Sequence, residues 1–306
     1  MCVRFYYIRY SCKIVFIFEF LVLFLCVHNK IGLFDMSKPM QIDVEAILAS
    51  KAGKKARFVP RFLISYLKKI IHQDEVNGFL RLHGDKMDYE FVDAFMKFFK
   101  NSFEVHGLEN LPKDGRRFTF VSNHPLGAQD GLGLAYILAP QYEGKIKFLV
   151  NDLLMNLPQL SSFWIPVNKT GSQARSFPQQ VNAAFESDDN IVMFPAGLCS
   201  RKTKGVVKDL EWKKTFIVKS VNTQRDIIPI HFEGENSKFF YRLANINKML
   251  GLKFNIAMLY LADEMFKNTN KTFKVTFGKP IPWQTFDKSK NATEWAQYVK
   301  EVVYTL

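Results

Sequence analysis

An α/β fold, with a mixed central sheet flanked by helices and an N-terminal amphipathic helical region, is what this sequence predicts. Two observations predict it. Apolar runs of strand length recur at residues 118–121, 146–150, 191–194 and 227–232, and stretches of helical spacing separate them. Upstream of residue 101 the apolar positions keep helical spacing instead, as in Phe62, Leu63, Tyr66, Leu67, Ile70 and Ile71. With 306 residues and 48% hydrophobic content the chain can build a packed core, and it carries no internal repeat or low-complexity segment, which argues against disorder and against a solenoid.

From the amino terminus, residues 15–27 are apolar apart from Glu19 and follow Arg4, Arg9 and Lys13. This run is short for a spanning helix and lacks a small-residue cleavage site. Two readings remain: a signal anchor, or a translation start at Met36, where Met-Ser-Lys-Pro-Met-Gln-Ile-Asp reads as an ordinary soluble amino terminus. Residues 1–35 are therefore set apart as a hydrophobic extension, residues 36–101 as a helical, membrane-associating region, and residues 102–306 as the domain that holds the sheet and the motifs described below. In the second segment Arg61, Ser65, Lys68 and Lys69 cover the face opposite Phe62 and Leu67. Such a basic amphipathic helix suits an in-plane membrane position, with Lys54, Lys55, Arg57, Lys68 and Lys69 near head groups and Phe58 and Phe62 at the acyl boundary. It equally suits a surface helix packed on a core. Beyond it, residues 92–99 stay helical, 103–105 form a short strand, and 107–115 a turn-rich link. Residues 118–121 then form a buried strand, 131–138 a helix, and 273–277 an alternating strand ahead of Gly278-Lys-Pro-Ile-Pro.

Charge narrows the partners. Lys and Arg outnumber Asp and Glu by 42 to 29, a formal charge of +13, which favours anionic lipid, nucleic acid or an acidic carrier protein. The 30 Phe residues favour a lipid interface, and no zinc-finger or RNA-binding aromatic signature supports nucleic acid. Four cysteines, Cys2, Cys12, Cys26 and Cys199, have neither disulfide-framework nor metal-ligand spacing. Cys199, after Pro-Ala-Gly-Leu, reads as a buried small thiol rather than a nucleophile.

The run Val121-Ser-Asn-His-Pro-Leu-Gly-Ala-Gln-Asp-Gly131 carries the chemistry. An apolar strand ends in His124, and Asp130 opens the next helix. Pro125 and Gly127 shape the turn so that the carboxylate can fold back on the imidazole. An imidazole held by a carboxylate keeps one tautomer and offers its other nitrogen as a general base.

This Asn-His run with its following Asp resembles the first signature of the glycerolipid acyltransferases of the lysophosphatidic acid acyltransferase type. Three further blocks resemble that family in order: Phe163-Trp-Ile-Pro-Val-Asn-Lys169, Val192-Met-Phe-Pro-Ala-Gly-Leu-Cys-Ser-Arg201 and Ile228-Pro-Ile-His231. Together they span about residues 103–282. Two departures stand out. Five residues separate His124 from Asp130 where the family usually has four, and Ala196 replaces the Glu of the third block. The pattern is most similar to the hemolysin-like branch that acylates lyso-ornithine or lyso-glycine lipids, with lysophosphatidic acid as the other acceptor.

The resemblance implies an O-acyltransferase with His124 and Asp130 catalytic. It implies a substrate site at Asn123, Gly131, Lys169, Pro195, Gly197, Ser200, Arg201 and Lys202, with Lys204 and Arg175 nearby, and oxyanion donors around Gly197 or the helix start after Asp130. His231 reads as structural. No metal and no bound cofactor are implied. The acyl donor would be acyl-acyl carrier protein or acyl-coenzyme A, the acceptor a lyso-lipid, and the site of action an anionic membrane surface, with no nucleic-acid partner. The expected location is the cytoplasmic face of a bacterial inner membrane, peripheral or through an N-terminal anchor. Two rival readings remain. One is metal-assisted hydrolysis by His124, Asp130 and His231. The other is a non-catalytic lipid-binding or hemolysin-like membrane protein.

Overall fold

The computed structural model describes residues 41–151, 157–167, 177–251 and 256–306. Residues 1–35, Lys169 and Arg175 lie outside the described residues. Two compact units divide the chain: Met1–Gly84 with Lys238–Asp263, and Asp85–Ser237 with Glu264–Leu306. The first boundary falls at Gly84, upstream of the division at residue 101 that composition suggests. Helix α4 (Asp88–Phe99) explains this, because it buries Phe91, Val92, Phe95, Met96 and Phe99 within the second unit, with Phe99 against Phe266 at 5.0 Å between ring centroids.

In the first unit, α1 (Val44–Ala52) is capped by Asp43, whose carboxylate accepts from the Glu45 and Ala46 N–H groups. Helix α2 (Arg61–Ile71) follows, then α3 (Gln73–His83). On α2 the sequence-predicted apolar stripe is only partly used: Leu67 and Ile70 are buried, whereas Phe62 is 76% exposed and the preceding Phe58 70%. The returning segment contributes α8 (Lys238–Met249), and the Tyr66 hydroxyl meets that of Tyr260 at 2.6 Å. No helix among the described residues is long and apolar enough to cross a membrane.

The second unit is built on a seven-stranded sheet of order β1-β9-β8-β2-β5-β3-β4. The strands are β1 (Ser102–His106), β2 (Phe118–Ser122), β3 (Ile146–Asn151), β4 (Trp164–Val167), β5 (Asn190–Met193), β8 (Asp226–Phe232) and β9 (Thr272–Phe277). All neighbours run parallel except β8 and β9. A short antiparallel hairpin, β6 (Arg201–Thr203) and β7 (Val206–Lys208), stands apart from the sheet. The sheet is thus mixed, as the sequence predicts. Central strand β2 is wholly buried, which is why it reads as an unbroken apolar run.

One core cluster joins the sheet residues Val121, Ile191 and Ile227 to α6 (Phe177–Glu186), α7 (Thr215–Asn222) and α10 (Ala292–Tyr304) through Phe185, Phe216, Trp295 and Val299. Elsewhere α5 (Ala128–Leu138) seats closely, because Gly133 has no Cβ, which would otherwise lie 2.8 Å from the Phe103 ring. Strand β2 has β8 on one side and β5 on the other, so the chain leaves this point of the sheet in opposite directions. The crevice at the carboxyl ends of such strands is where open α/β sheets place their sites.

At the opposite strand ends, Arg225 is fully buried and satisfies several carbonyls at once. It donates to Phe185 O at 2.9 Å, Ser187 O at 2.6 Å and Asp189 O at 2.7 Å. Burial pulls its guanidinium down to about 10. Arg225→Met removes these donors and leaves buried carbonyls unmatched, so equilibrium urea unfolding is expected to lose about 2–4 kcal/mol.

Candidate active site

His124 leaves β2 two residues beyond its last paired position. The parallel register of β2 with β5 pairs Val121 with Met193, and this sets His124 beside Phe194. The two rings stack with centroids 4.2 Å apart and planes 26° from parallel. The loop then turns at Gly127, whose φ of 92° is closed to L side chains, and α5 begins. This turn takes up the longer His-to-Asp spacing, because Asp130 in the first turn of α5 reaches back over it.

Asp130 is completely buried, and both of its carboxylate oxygens lie 3.1 Å from His124 Nδ1. One oxygen also accepts the Leu126 N–H at 2.8 Å and the Gly127 N–H at 3.2 Å, and the other accepts the Gly131 N–H at 2.8 Å. Since Gly127 has no side chain, only the Asp130 half of a capping box exists here. Among the N–H groups that the sequence offers as oxyanion donors, around Gly197 and at the start of α5, two already hold protein acceptors. The Gly131 N–H is committed to Asp130, and the Gly197 N–H closes its own turn on Phe194 O at 2.9 Å.

Burial is the largest single influence on the His124 imidazole and pushes its pKa down. The charge and hydrogen bond of Asp130, joined by the charge of Asp209, outweigh burial and hold it above its ordinary value, while Arg201 acts against them. With Nδ1 bound to Asp130, Nε2 is the nitrogen left for proton transfer.

The other sequence-predicted residues divide into supports and rim. Asn123 is buried, donating from Nδ2 to Phe232 O at 2.9 Å and accepting the Phe232 N–H at 2.7 Å, and so ties the loop to β8. Gly131 and Ser200 are buried too, and the Ser200 N–H donates to His124 O at 2.7 Å. Pro195 is buried in the turn after β5, and exposed Gly197 holds a φ of 67° there. Arg201 donates to the carbonyls of Cys199 and Ser200, and Lys202 pairs with Glu235 at 2.8 Å. Of the three cations expected to form a rim, Arg201 and Lys202 thus hold protein partners, and Lys204 is exposed. Ala196 sits in the core cluster with Trp212 and Phe216, a setting that would force a glutamate to bury its charge.

Cys199 is buried and its thiol is pushed up to about 12, mainly by burial, as expected of a structural thiol. His231 lies on β8, packs against Tyr304 at 5.6 Å between centroids, and is held below its ordinary value mainly by burial. Sequence reasoning missed Asp209, which accepts the His124 backbone N–H at 3.2 Å from 85 positions along the chain.

A family model described as acyltransferase matches residues 46–306. A lyso-glycine lipid O-acyltransferase of Bacteroides thetaiotaomicron is 62% identical over 265 residues, covering 87% of this chain and 97% of that protein. Another of that name, from Phocaeicola vulgatus, is also 62% identical over 265 residues, covering 87% of this chain and 95% of its own. Among solved structures, the 1-acyl-sn-glycerophosphate acyltransferase of Thermotoga maritima is 17% identical with a TM-score of 0.47, covering 81% of this chain and 83% of that one.

Asp130→Asn removes the residue that lifts the imidazole and leaves burial in place. His124 is then expected to titrate below its wild-type value, as read by NMR titration of the ring. The sign for stability follows from the raised folded value. The wild-type contribution is full below about pH 6.5, where unfolded histidine is protonated, and is lost as pH rises through the folded pKa. The thermal-stability gap between wild type and Asp130→Asn should therefore widen from about pH 8.5 to about pH 5.5.

Proposed function

Because this chain belongs to the acyltransferase family, we propose that it moves a fatty acyl group from a thioester to the hydroxyl of a lyso-glycine lipid, with His124 as general base oriented by Asp130. The observation that carries this reading is the His124–Asp130 contact of 3.1 Å at the carboxyl end of β2, in a chain 62% identical to proteins named for that reaction. Membership of an enzyme family speaks against the non-catalytic hemolysin-like reading.

In this mechanism His124 Nε2 takes the proton of the acceptor hydroxyl as its oxygen attacks the thioester carbonyl. Asp130 stabilises the imidazolium that forms and keeps the ring from turning. The tetrahedral intermediate collapses by breaking the C–S bond, and the leaving thiolate takes the proton from the imidazolium. An ester and a free thiol result, with no net change in protons. A positioned base typically contributes about 100- to 10,000-fold, equivalent to about 3–5 kcal/mol of barrier.

The donor in this reading is acyl-acyl carrier protein or acyl-coenzyme A. Both are anionic and suit a chain of net charge +13. The glycine carboxylate of the acceptor calls for a cation, and Arg201 is a predicted one whose charge acts on His124. Lys169 keeps its place in the proposed acceptor site on the strength of the family resemblance. Exposed Phe58 and Phe62, with exposed Arg57 and Arg61, suit an anionic membrane surface, which for a bacterial enzyme of this kind is the cytoplasmic face of the inner membrane.

Purified protein supplied with acyl-acyl carrier protein or acyl-coenzyme A, and with lyso-glycine lipid and lysophosphatidic acid in separate reactions, tests the assignment by mass spectrometry of the lipids. Diacylated glycine lipid is expected to form faster than phosphatidic acid, and His124→Ala is expected to lower the rate by about 100-fold or more. A preference for lysophosphatidic acid would overturn the acceptor. An undiminished rate in His124→Ala would overturn the mechanism.

A further inference from the structure

We propose that Asp209 is a positioning residue for acyl transfer, fixing the backbone of His124 from behind and tying the catalytic loop to the C-terminal helix. The proposal rests on the reading of His124 as general base.

Asp209 follows β7 and is buried. Its Oδ1 accepts the His124 N–H at 3.2 Å and the Ser200 hydroxyl at 2.5 Å, while Oδ2 accepts Trp212 Nε1–H at 2.9 Å. Ser200 in turn donates its N–H to His124 O at 2.7 Å. The backbone of His124 is thus bound at both its N–H and its carbonyl, and the two bonds close into a ring through one carboxylate. An imidazole can keep its place for proton transfer only if the backbone beneath it is fixed as well as its Nδ1, because small displacements cost large factors in rate.

Asp209 is itself anchored through its backbone from α10. The Asp209 N–H donates to the Tyr304 hydroxyl at 2.7 Å, and Lys300 Nζ donates to Asp209 O at 2.8 Å and Leu210 O at 3.0 Å. Burial pulls the Lys300 ammonium down and pushes the Tyr304 phenol up. These groups stay committed to the backbone they hold, and the end of the chain reaches the catalytic loop through them.

Asp209 also adds negative charge near the ring. Around His124 stand Asp130 from α5, Arg201 from β6 and the Cys199 thiol before it, with Asp209, Lys300 and Tyr304 behind. His231 of β8 packs on Tyr304, and Phe194 contributes an uncharged stacking face. Asp130 and Asp209 both favour the imidazolium, and Arg201 opposes it. A carboxylate that served packing alone would leave the pH dependence of the reaction untouched when neutralised. One that supports the base would not.

Asp209→Asn keeps size and shape, removes the charge, and turns a second donor toward Trp212. In the acyl-transfer assay with lyso-glycine lipid, kcat/KM is expected to fall about tenfold or more, and its acidic limb to move to lower pH. An unmoved limb overturns the proposal. If Asp209→Asn does not fold, Tyr304→Phe decides. It keeps the charge but frees the Asp209 N–H, and is expected to lower kcat about fivefold or more with KM within about twofold and the limb in place. A wild-type kcat in Tyr304→Phe overturns the proposal. His124→Ala run alongside separates the two failures. If it is inactive while the Asp209→Asn limb stays put, this proposal alone fails. If it remains active, the general-base reading fails and takes this proposal with it.

Discussion

The site depends on one desolvated carboxylate. Asp130 has no contact with solvent, and a charge in that position is tolerable only because it is fully partnered. Three backbone N–H groups, from Leu126, Gly127 and Gly131, point at it, and the imidazole of His124 supplies the fourth partner. One of these bonds, from the N-cap Gly127 N–H, satisfies a group that the start of α5 would otherwise leave orphaned. Capping the helix and orienting the His124 imidazole are therefore one interaction. The turn at Gly127 and the close seat of α5 over Phe103 at Gly133 are conditions for it.

The sheet supplies the frame. Strands β5, β2 and β8 lie side by side and parallel, so the segments leaving their carboxyl ends converge. From β5 comes Phe194, which stacks on the imidazole. From β8 comes the Phe232 backbone, which holds Asn123. The turn after β5 carries Ala196 into the core and Ser200 onto the His124 carbonyl. In the proposed site the acceptor's head group would meet a third block in which a buried alanine stands where the pattern of the resembling family has a glutamate. That difference sits well with an acceptor whose anionic group and shape differ from a phosphate monoester.

The parts of this arrangement visible in the sequence are those that chain neighbours decide. His124 and Asp130 share one short loop after an apolar strand, and a wholly buried strand such as β2 announces itself as an unbroken run. Strand β4 was visible only as the Phe163-Trp-Ile-Pro block. The hairpin β6–β7 carries Arg201 and Lys202 among short polar residues and gave no periodic signal. Asp209 was invisible for another reason: its partners His124 and Tyr304 are brought to it by folding from 85 and 95 positions away. Charge was legible at Arg201 and Lys202, but their protein partners, the Cys199 carbonyl and Glu235, were not. The Phe62 stripe on α2 was legible as amphipathic, while its division into buried Leu67 and exposed Phe62 was a matter of tertiary packing.

The most direct test of the central claim is the pH dependence of kcat/KM for acylation of lyso-glycine lipid by the wild-type protein. A base that must be neutral, carried by an imidazole that Asp130 and Asp209 hold above its ordinary value, predicts a rate that falls on the acid side with a midpoint above about pH 6.5. A rate that stays flat down to about pH 5 would contradict it, because an imidazole base would by then be protonated and inactive.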